Sequence, residues 1–113
     1  MRELYKRYIV QTLDQVFTAL SDPTRRAILC RLAQGEATVM ELARPFNISQ
    51  PAVSRHLKVL ERAQLIERRV DGARRPCRLA PPGIDSIDQW LDTLRNARSK
   101  NGARLDAPAE NRP

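Results

Sequence analysis

The apolar positions of the chain recur at helical spacing over most of its length and alternate in one short stretch. Apolar residues three or four positions apart predict a first helix from Leu4 to Leu20 and a last helix from Ile84 to Arg98, with three more between them. After the third middle helix the apolar residues recur at every second position instead. That change predicts a β-hairpin over 66–80 with "DGAR" at its tip.

Capping and breaking residues delimit the three middle helices. Asp22 caps the first and Gly35 stops it, while the short second helix, about 39–45, should end at its proline. Ser49 caps the third, which spans 49–63. A short helix, the turn "FNI" and a longer helix form a helix-turn-helix. The predicted fold is therefore mostly α with a small β-hairpin wing: a winged helix-turn-helix in the order α-α-α-α-β-β-α.

Proline positions and composition set the remaining boundaries. Pro76 inside the return strand predicts an edge strand, with the missing N–H facing solvent, and "APPG" predicts a hinge before the last helix. A chain of 113 residues suits one domain, which we place at 1–98. The polar segment 99–113 contains Pro and Gly, and we expect it to be disordered.

The net charge of the chain indicates the kind of molecule that it binds. The chain has 20 Lys and Arg against 13 Asp and Glu, a net charge of +7, with the excess in the first third and in 64–83. A polyanionic partner is favoured. Two cysteines are too few for a disulfide framework. No apolar run approaches membrane-spanning length and charges interrupt the N-terminus, so we expect a cytoplasmic protein without a membrane partner.

The outward side of the helix 49–63 carries basic side chains and no acidic ones. A helical projection points Val53, Leu57 and Leu60 into the core, and on the opposite side it places Pro51, Arg55, Lys58 and Arg62. Arg, Gln and Ser can bond to base edges in a DNA major groove, and cations farther along the helix can meet phosphates. The alternative is an ordinary basic surface helix.

The wing supplies a second candidate contact. Arg74 and Arg75 lie at the hairpin turn, placed for the minor groove or the DNA backbone, although such charges can also protect an edge strand. His56 is assigned to DNA contact or local packing rather than to a metal. The predicted double-stranded DNA contacts are Ser49, Gln50, Pro51, Ser54, Arg55, His56, Lys58, Arg62, Arg68, Arg74 and Arg75.

The segments "ALSDPTRRAIL", "SQPAVSRHLKVLE" and "QLIERR" resemble the ArsR/SmtB family of bacterial winged-helix repressors. The likeness spans about Val16 to Leu94. It implies a homodimeric repressor that reads a near-palindromic operator, often at its own promoter, and releases it when an effector binds. It also implies that the first and last helices form the dimer interface.

The residues favour that interface independently, because a domain this small cannot easily bury the apolar faces of both helices. The alternative is that the two helices complete the core of a single chain. The predicted interface residues are Leu4, Tyr5, Tyr8, Ile9, Phe17, Ile84, Ile87, Trp90, Leu91 and Leu94.

The chain lacks the residues that form the metal-sensing and thiol-sensing sites in members of the family that it resembles. Thr38 and Met40 stand where metal-sensing members carry a thiolate pair, and the last helix has aspartates but no histidine. Cys30 matches one cysteine of the thiol-sensing members, but the last helix lacks the other. We therefore expect no metal and no cofactor, leave the effector unknown, and keep a redox-responsive repressor using Cys30 as an alternative.

Two other function classes are weaker. A winged helix can serve as a protein-interaction module for an acidic partner, but the one-signed helix face favours DNA. An enzyme is disfavoured, because the sequence has no glycine-rich phosphate loop and no nucleophile–base pair.

Overall fold

The computed structural model describes residues 12–100, and these form the predicted winged helix-turn-helix. The predicted helix start at Leu4 and the residues Leu4, Tyr5, Tyr8 and Ile9 lie outside the described residues. In chain order the elements are α1 (12–20), α2 (Pro23–Leu32), α3 (Val39–Phe46), α4 (Gln50–Arg62), β1 (Ile66–Arg68), β2 (Cys77–Leu79) and α5 (Pro81–Lys100).

The helix starts follow from their capping side chains. The Asp22 carboxylate accepts the Arg25 backbone N–H at 3.0 Å, and Ser49 Oγ accepts that of Ala52 at 3.2 Å, so both predicted caps are confirmed. Before α3, Thr38 Oγ1 accepts the Glu41 N–H at 3.3 Å while Glu41 Oε1 accepts the Thr38 N–H at 3.2 Å. This reciprocal capping box was not predicted.

Two proline-based boundaries were wrong. Pro45 lies inside α3, which ends one residue later, where Asn47 adopts a left-handed conformation with φ 52°. "APPG" is no hinge, because α5 begins at Pro81, and prolines are tolerated in a first turn that lacks N–H partners. The same helix continues to Lys100, two residues beyond the predicted end, and 101–113 lie outside the described residues.

The wing is a two-stranded antiparallel hairpin with Ile66 opposite Leu79. On its other side Cys77 exchanges two backbone hydrogen bonds with Ala37, at 2.8 and 3.1 Å. The return strand is therefore not an edge at Cys77, contrary to the prediction. Pro76 precedes the strand instead of lying in it and is buried, and its carbonyl accepts the Arg69 N–H at 2.9 Å.

The core lies between α1, α2, α3, α4 and the base of the wing. Its fully buried side chains include the predicted inward residues of α4, together with residues from its neighbours: Val16, Ile28, Leu42, Val53, Leu57, Leu60, Leu65 and Cys77. The first turn of α5 packs on the loop after α4 through Gly83, whose N–H donates to the Gln64 carbonyl at 2.8 Å. No helix within residues 12–100 is long and apolar enough to cross a membrane.

Candidate nucleic-acid interface

The outward face of α4 is exposed and cationic, as predicted. Burying Val53, Leu57 and Leu60 turns the opposite side of the helix to solvent. Gln50 opens the helix beside the α3–α4 turn and is exposed, and Ser54 is half-buried. The exposed residues of this face are Pro51, Arg55, Lys58 and Arg62, and none of the three cations has an acidic partner among the described residues.

Most wing arginines, by contrast, are already paired with acids. Arg69 makes a two-nitrogen contact with Glu36, at 2.8 to 3.2 Å, and Arg78 donates to Glu67 at 2.7 Å. Arg68 Nε lies 3.2 Å from a Glu61 oxygen in a half-buried ion pair, without the alignment of a hydrogen bond. Arg68 therefore faces α4 rather than open solvent, which the sequence prediction did not anticipate.

The wing tip keeps two cations near solvent. Arg74 closes the turn by exchanging backbone hydrogen bonds with Asp71. Its side chain is 67% exposed and 3.7 Å from Glu41, which is a long and easily exchanged ion pair. Arg75 is exposed and has no ion-pair partner within the part of the chain that the structure describes. Both residues therefore lie at the tip of the hairpin, as predicted, and their contact with DNA stays a prediction.

One further cation, Arg44, lies between the two predicted contact elements. It is exposed on α3 and lines an open groove with Arg74 and Arg75, and a second one with Gln50. Arg44 is not among the predicted DNA contacts, all of which belong to α4, its N-cap and the wing. Its position beside the inward-facing Leu42 and Ala43 was the available signal, because a cation there must lie at the edge of the buried face.

His56 is turned toward α2 and is half-buried. Its Nδ1 lies 3.3 Å from Arg25 Nη1 and 4.0 Å from Asp22 Oδ2. This geometry favours local packing, one of the two roles left open for this residue.

Three acids around the site have lowered pKa values. The Arg25 backbone N–H is the main cause for Asp22, with His56 contributing. The Arg69 side chain lowers the pKa of Glu36, and the Thr38 backbone and hydroxyl lower that of Glu41, with a smaller contribution from Arg74. These carboxylates therefore stay ionised, holding the α2 cap and the wing in place.

The two cysteines differ in environment. Cys30 is exposed, whereas Cys77 is buried in the core, and that burial raises the pKa of its thiol. Because a thiolate is disfavoured there, Cys77 is a poor partner for a redox switch with Cys30. The described residues contain no group of three or more His, Cys, Asp or Glu that could hold a metal ion.

Apolar side chains of α1 and α5 are exposed, and two of them are in contact. The rings of Phe17 and Trp90 meet edge to face, with centroids 5.3 Å apart. They remain 41% and 40% exposed, and Ile84 and Leu94 of α5 are exposed as well. Leu91 is half-buried, and Ile87 packs against the core. Ile87 therefore favours the alternative that α5 completes the core of one chain, more than the other described residues of the predicted interface do.

A helix-turn-helix followed by a two-stranded wing defines the winged helix-turn-helix class of DNA-binding regulators. A sequence model of the bacterial regulatory proteins of the arsR family matches residues 22–68. The HTH-type transcriptional regulator Rv2034 of Mycobacterium tuberculosis is 49% identical over 79 residues, which cover 70% of this chain and 74% of that protein. The chain belongs to the arsR family, as its sequence predicted.

Other relatives agree in sequence and in structure. The arsenical resistance operon repressor of Staphylococcus xylosus is 34% identical over 85 residues, covering 75% of this chain and 82% of that protein. The solution structure of a homodimeric winged helix-turn-helix DNA-binding domain from Mycobacterium bovis has a TM-score of 0.65 at 28% identity, covering 86% of this chain and 89% of that one.

Proposed function

We propose that the protein is a homodimeric, sequence-specific DNA-binding repressor that acts in the cytoplasm. The observation that carries this proposal is the outward face of α4, where Arg55, Lys58 and Arg62 have no acidic partner among the described residues while most wing arginines do. A cluster of unneutralised cations on one helix is costly through mutual repulsion unless a polyanion accompanies it. The repressors among its relatives support this outcome.

The residues on the outward face of α4 and at its start divide the contacts of the proposed complex between them. Gln50 and Arg55, in the first half of α4, reach the base edges of the major groove, where Arg can bond to guanine and Gln to adenine. Lys58 and Arg62 meet phosphates farther along the helix. Ser49, Pro51 and Ser54 flank these contacts.

The wing and α3 contact the DNA backbone on either side. Arg74 and Arg75 approach the adjacent minor groove or its phosphates, and Arg44 lines the groove that leads from the wing toward α4. Arg68 lines the same groove and is paired with Glu61, while His56 supports α4 through Arg25.

The apolar faces of α1 and α5 supply the proposed dimer contact. Phe17, Ile84, Trp90 and Leu94 are all exposed in the single chain, Phe17 and Trp90 are in contact, and exposed apolar side chains of this size commonly mark a partner surface. The homodimeric relative supports a second copy of the chain as that partner. A two-fold dimer presents two α4 helices, which predicts a near-palindromic operator. Leu4, Tyr5, Tyr8 and Ile9 are proposed to extend the same contact.

Fluorescence anisotropy tests the proposed function. The full-length protein is titrated against a duplex from upstream of its own gene, against duplexes selected from a random pool, and against a scrambled duplex, across a salt series. A selected duplex that binds about a thousandfold more tightly than scrambled DNA at physiological salt supports a repressor of this kind. Equal binding to all duplexes with a steep salt dependence would contradict it and favour the protein-interaction module.

A further inference from the structure

Arg25 lies where α1, α2 and α4 meet. Its Nε donates to the Ala19 carbonyl at 2.7 Å and its Nη2 to the Thr18 carbonyl at 3.1 Å, which satisfies carbonyls at the end of α1. Its backbone N–H donates to the Asp22 cap of α2 at 3.0 Å. A single residue thus connects the end of α1 with the start of α2.

The remaining nitrogen of the same guanidinium reaches α4. Nη1 lies 3.3 Å from Nδ1 of His56. A guanidinium can only donate, so this contact is a hydrogen bond in the tautomer whose Nδ1 is free to accept. His56 directly precedes Leu57 in the core and follows Arg55 on the exposed face. The contact therefore holds α4 at the residue next to its proposed base-reading arginine.

We propose that Arg25 is a positioning residue for DNA binding, which sets the place of α4 relative to α1 through His56. The inference rests on the proposed function. Thr18, which accepts from Arg25, directly follows Phe17 of the proposed dimer contact. In a two-fold dimer the distance between the two α4 helices depends on how each is held against the dimer helices. Arg25 and His56 form the polar clamp that sets this distance.

The clamp has a measurable consequence in half-site spacing. Two recognition helices of a dimer fit half-sites about one helical turn of DNA apart. A protein with a firm clamp should therefore discriminate between operators whose half-sites differ by one base pair in separation. A protein without it should accept the altered spacings more evenly and bind the best one less tightly.

Arg26 provides a matched control. It is the next residue of α2 and also donates to an α1 carbonyl, that of Leu20 at 2.7 Å, but within residues 12–100 it makes no hydrogen bond or ion pair with α4. Arg26→Gln removes a capping contact and one positive charge, as Arg25→Gln does, and leaves the clamp intact.

The experiment measures anisotropy on the best selected operator and on versions with one base pair added or removed between the half-sites. Circular dichroism and sedimentation report folding and dimer formation for each variant. Arg25→Gln and His56→Leu should each weaken operator binding about tenfold and flatten the spacing preference, as expected for loss of one charge-assisted hydrogen bond. The double variant should be no worse than either single one. His56→Asn, whose amide oxygen can replace Nδ1 as acceptor, should recover most of the loss.

Two results would overturn the clamp: equal effects of Arg25→Gln and Arg26→Gln, or additive losses in the double variant. If Arg25→Gln fails to fold, the comparison of His56→Leu with His56→Asn decides, because neither disturbs the α1 cap, and equal losses in both overturn the inference. A wild-type protein that prefers no duplex overturns the proposed function, and this inference with it. A wild-type protein that selects its operator, with variants that keep the wild-type spacing preference, would instead overturn the clamp alone.

Discussion

The ring of Phe17 on α1 meets the ring of Trp90 on α5 edge to face, with an interplanar angle of 76°. This contact joins the first and last helices of the described chain, and about two fifths of each side chain remains open, 41% and 40% respectively. Aromatic pairs of this geometry contribute about 0.5–1.5 kcal/mol beyond their buried area. The pair therefore organises a surface that a second copy of the chain can cover.

Trp90→Ala should weaken the dimer by about 2 kcal/mol or more if Trp90 belongs to the proposed dimer contact, because large aromatic side chains carry much of the binding energy of an interface. Sedimentation equilibrium measures the change, and circular dichroism verifies that the monomer stays folded. Val70→Ala is the control, since Val70 is an apolar residue on the wing that is 72% exposed. Dimers of unchanged strength in Trp90→Ala would remove Trp90 from the interface.

Gly83→Ala should destabilise the fold by about 1–3 kcal/mol, the usual range for overpacking. A Cβ at this position would lie 2.6 Å from the Gln64 carbonyl oxygen and 2.7 Å from that of Ala63. Both are backbone atoms that cannot rotate away, so the clash outweighs the gain of about 1 kcal/mol in helix propensity. Urea unfolding measures the change.

Gln89→Ala, at an exposed position of the same helix, should change the free energy of unfolding by less than about 0.5 kcal/mol. Equal stability of Gly83→Ala and the wild type would mean that α5 does not pack on the α4 loop through this glycine.

The stability of the fold should depend on pH through Glu36. The Arg69 hydrogen bond lowers the pKa of Glu36 from its ordinary value of 4.5. A carboxylate with a lowered folded-state pKa contributes stability above its unfolded pKa, and this contribution is lost as the pH falls through the folded value. Glu36→Gln should therefore be less stable than the wild type near neutral pH, with the difference closing below about pH 4.5.

Thermal unfolding of both proteins across this pH range provides the measurement. Asp88→Asn, at an exposed position of α5, is the control and should differ little from the wild type throughout. A difference for Glu36→Gln that stays constant with pH would show that the Arg69 ion pair is not its source.

Glu41→Gln should increase DNA affinity by about two- to fivefold and steepen the salt dependence, by up to about one unit of slope for one additional phosphate contact. The Glu41 carboxylate competes with phosphate for Arg74, whose nitrogen lies 3.7 Å away. Glutamine can still serve in the capping box of α3, so the helix start is retained. Anisotropy across a salt series measures both quantities, and unchanged or weaker binding would show that Glu41 holds Arg74 in its DNA-binding position.

Local patterns predicted most of the fold. The spacing of Val53, Leu57 and Leu60 is a property of adjacent turns, and the caps at Asp22 and Ser49 act within three residues. The sequence could therefore supply the bounds of α4 and the sign of its exposed face. The proline boundaries failed because a first or last turn tolerates a missing N–H, which the pattern alone does not reveal.

Contacts between distant segments could not be predicted. Arg69 and Glu36 are 33 positions apart, and Arg25 and His56 are 31. Arg68 looked available for DNA because its partner Glu61 belongs to another element. The pairing of Cys77 with Ala37 likewise depends on how the wing returns to the segment before α3. In each case the partner is determined by tertiary packing between segments that are distant in sequence.

The central claim is that α4 reads DNA sequence through Arg55 and contributes charge through Lys58. The most direct measurement compares Arg55→Ala with Lys58→Ala on a selected operator and on scrambled DNA, across a salt series. Arg55→Ala should lose about 1–3 kcal/mol on the operator with little change on scrambled DNA. Lys58→Ala should weaken both evenly and reduce the salt slope by about one. Equal losses on both duplexes for Arg55→Ala would contradict the claim and leave α4 as an electrostatic surface.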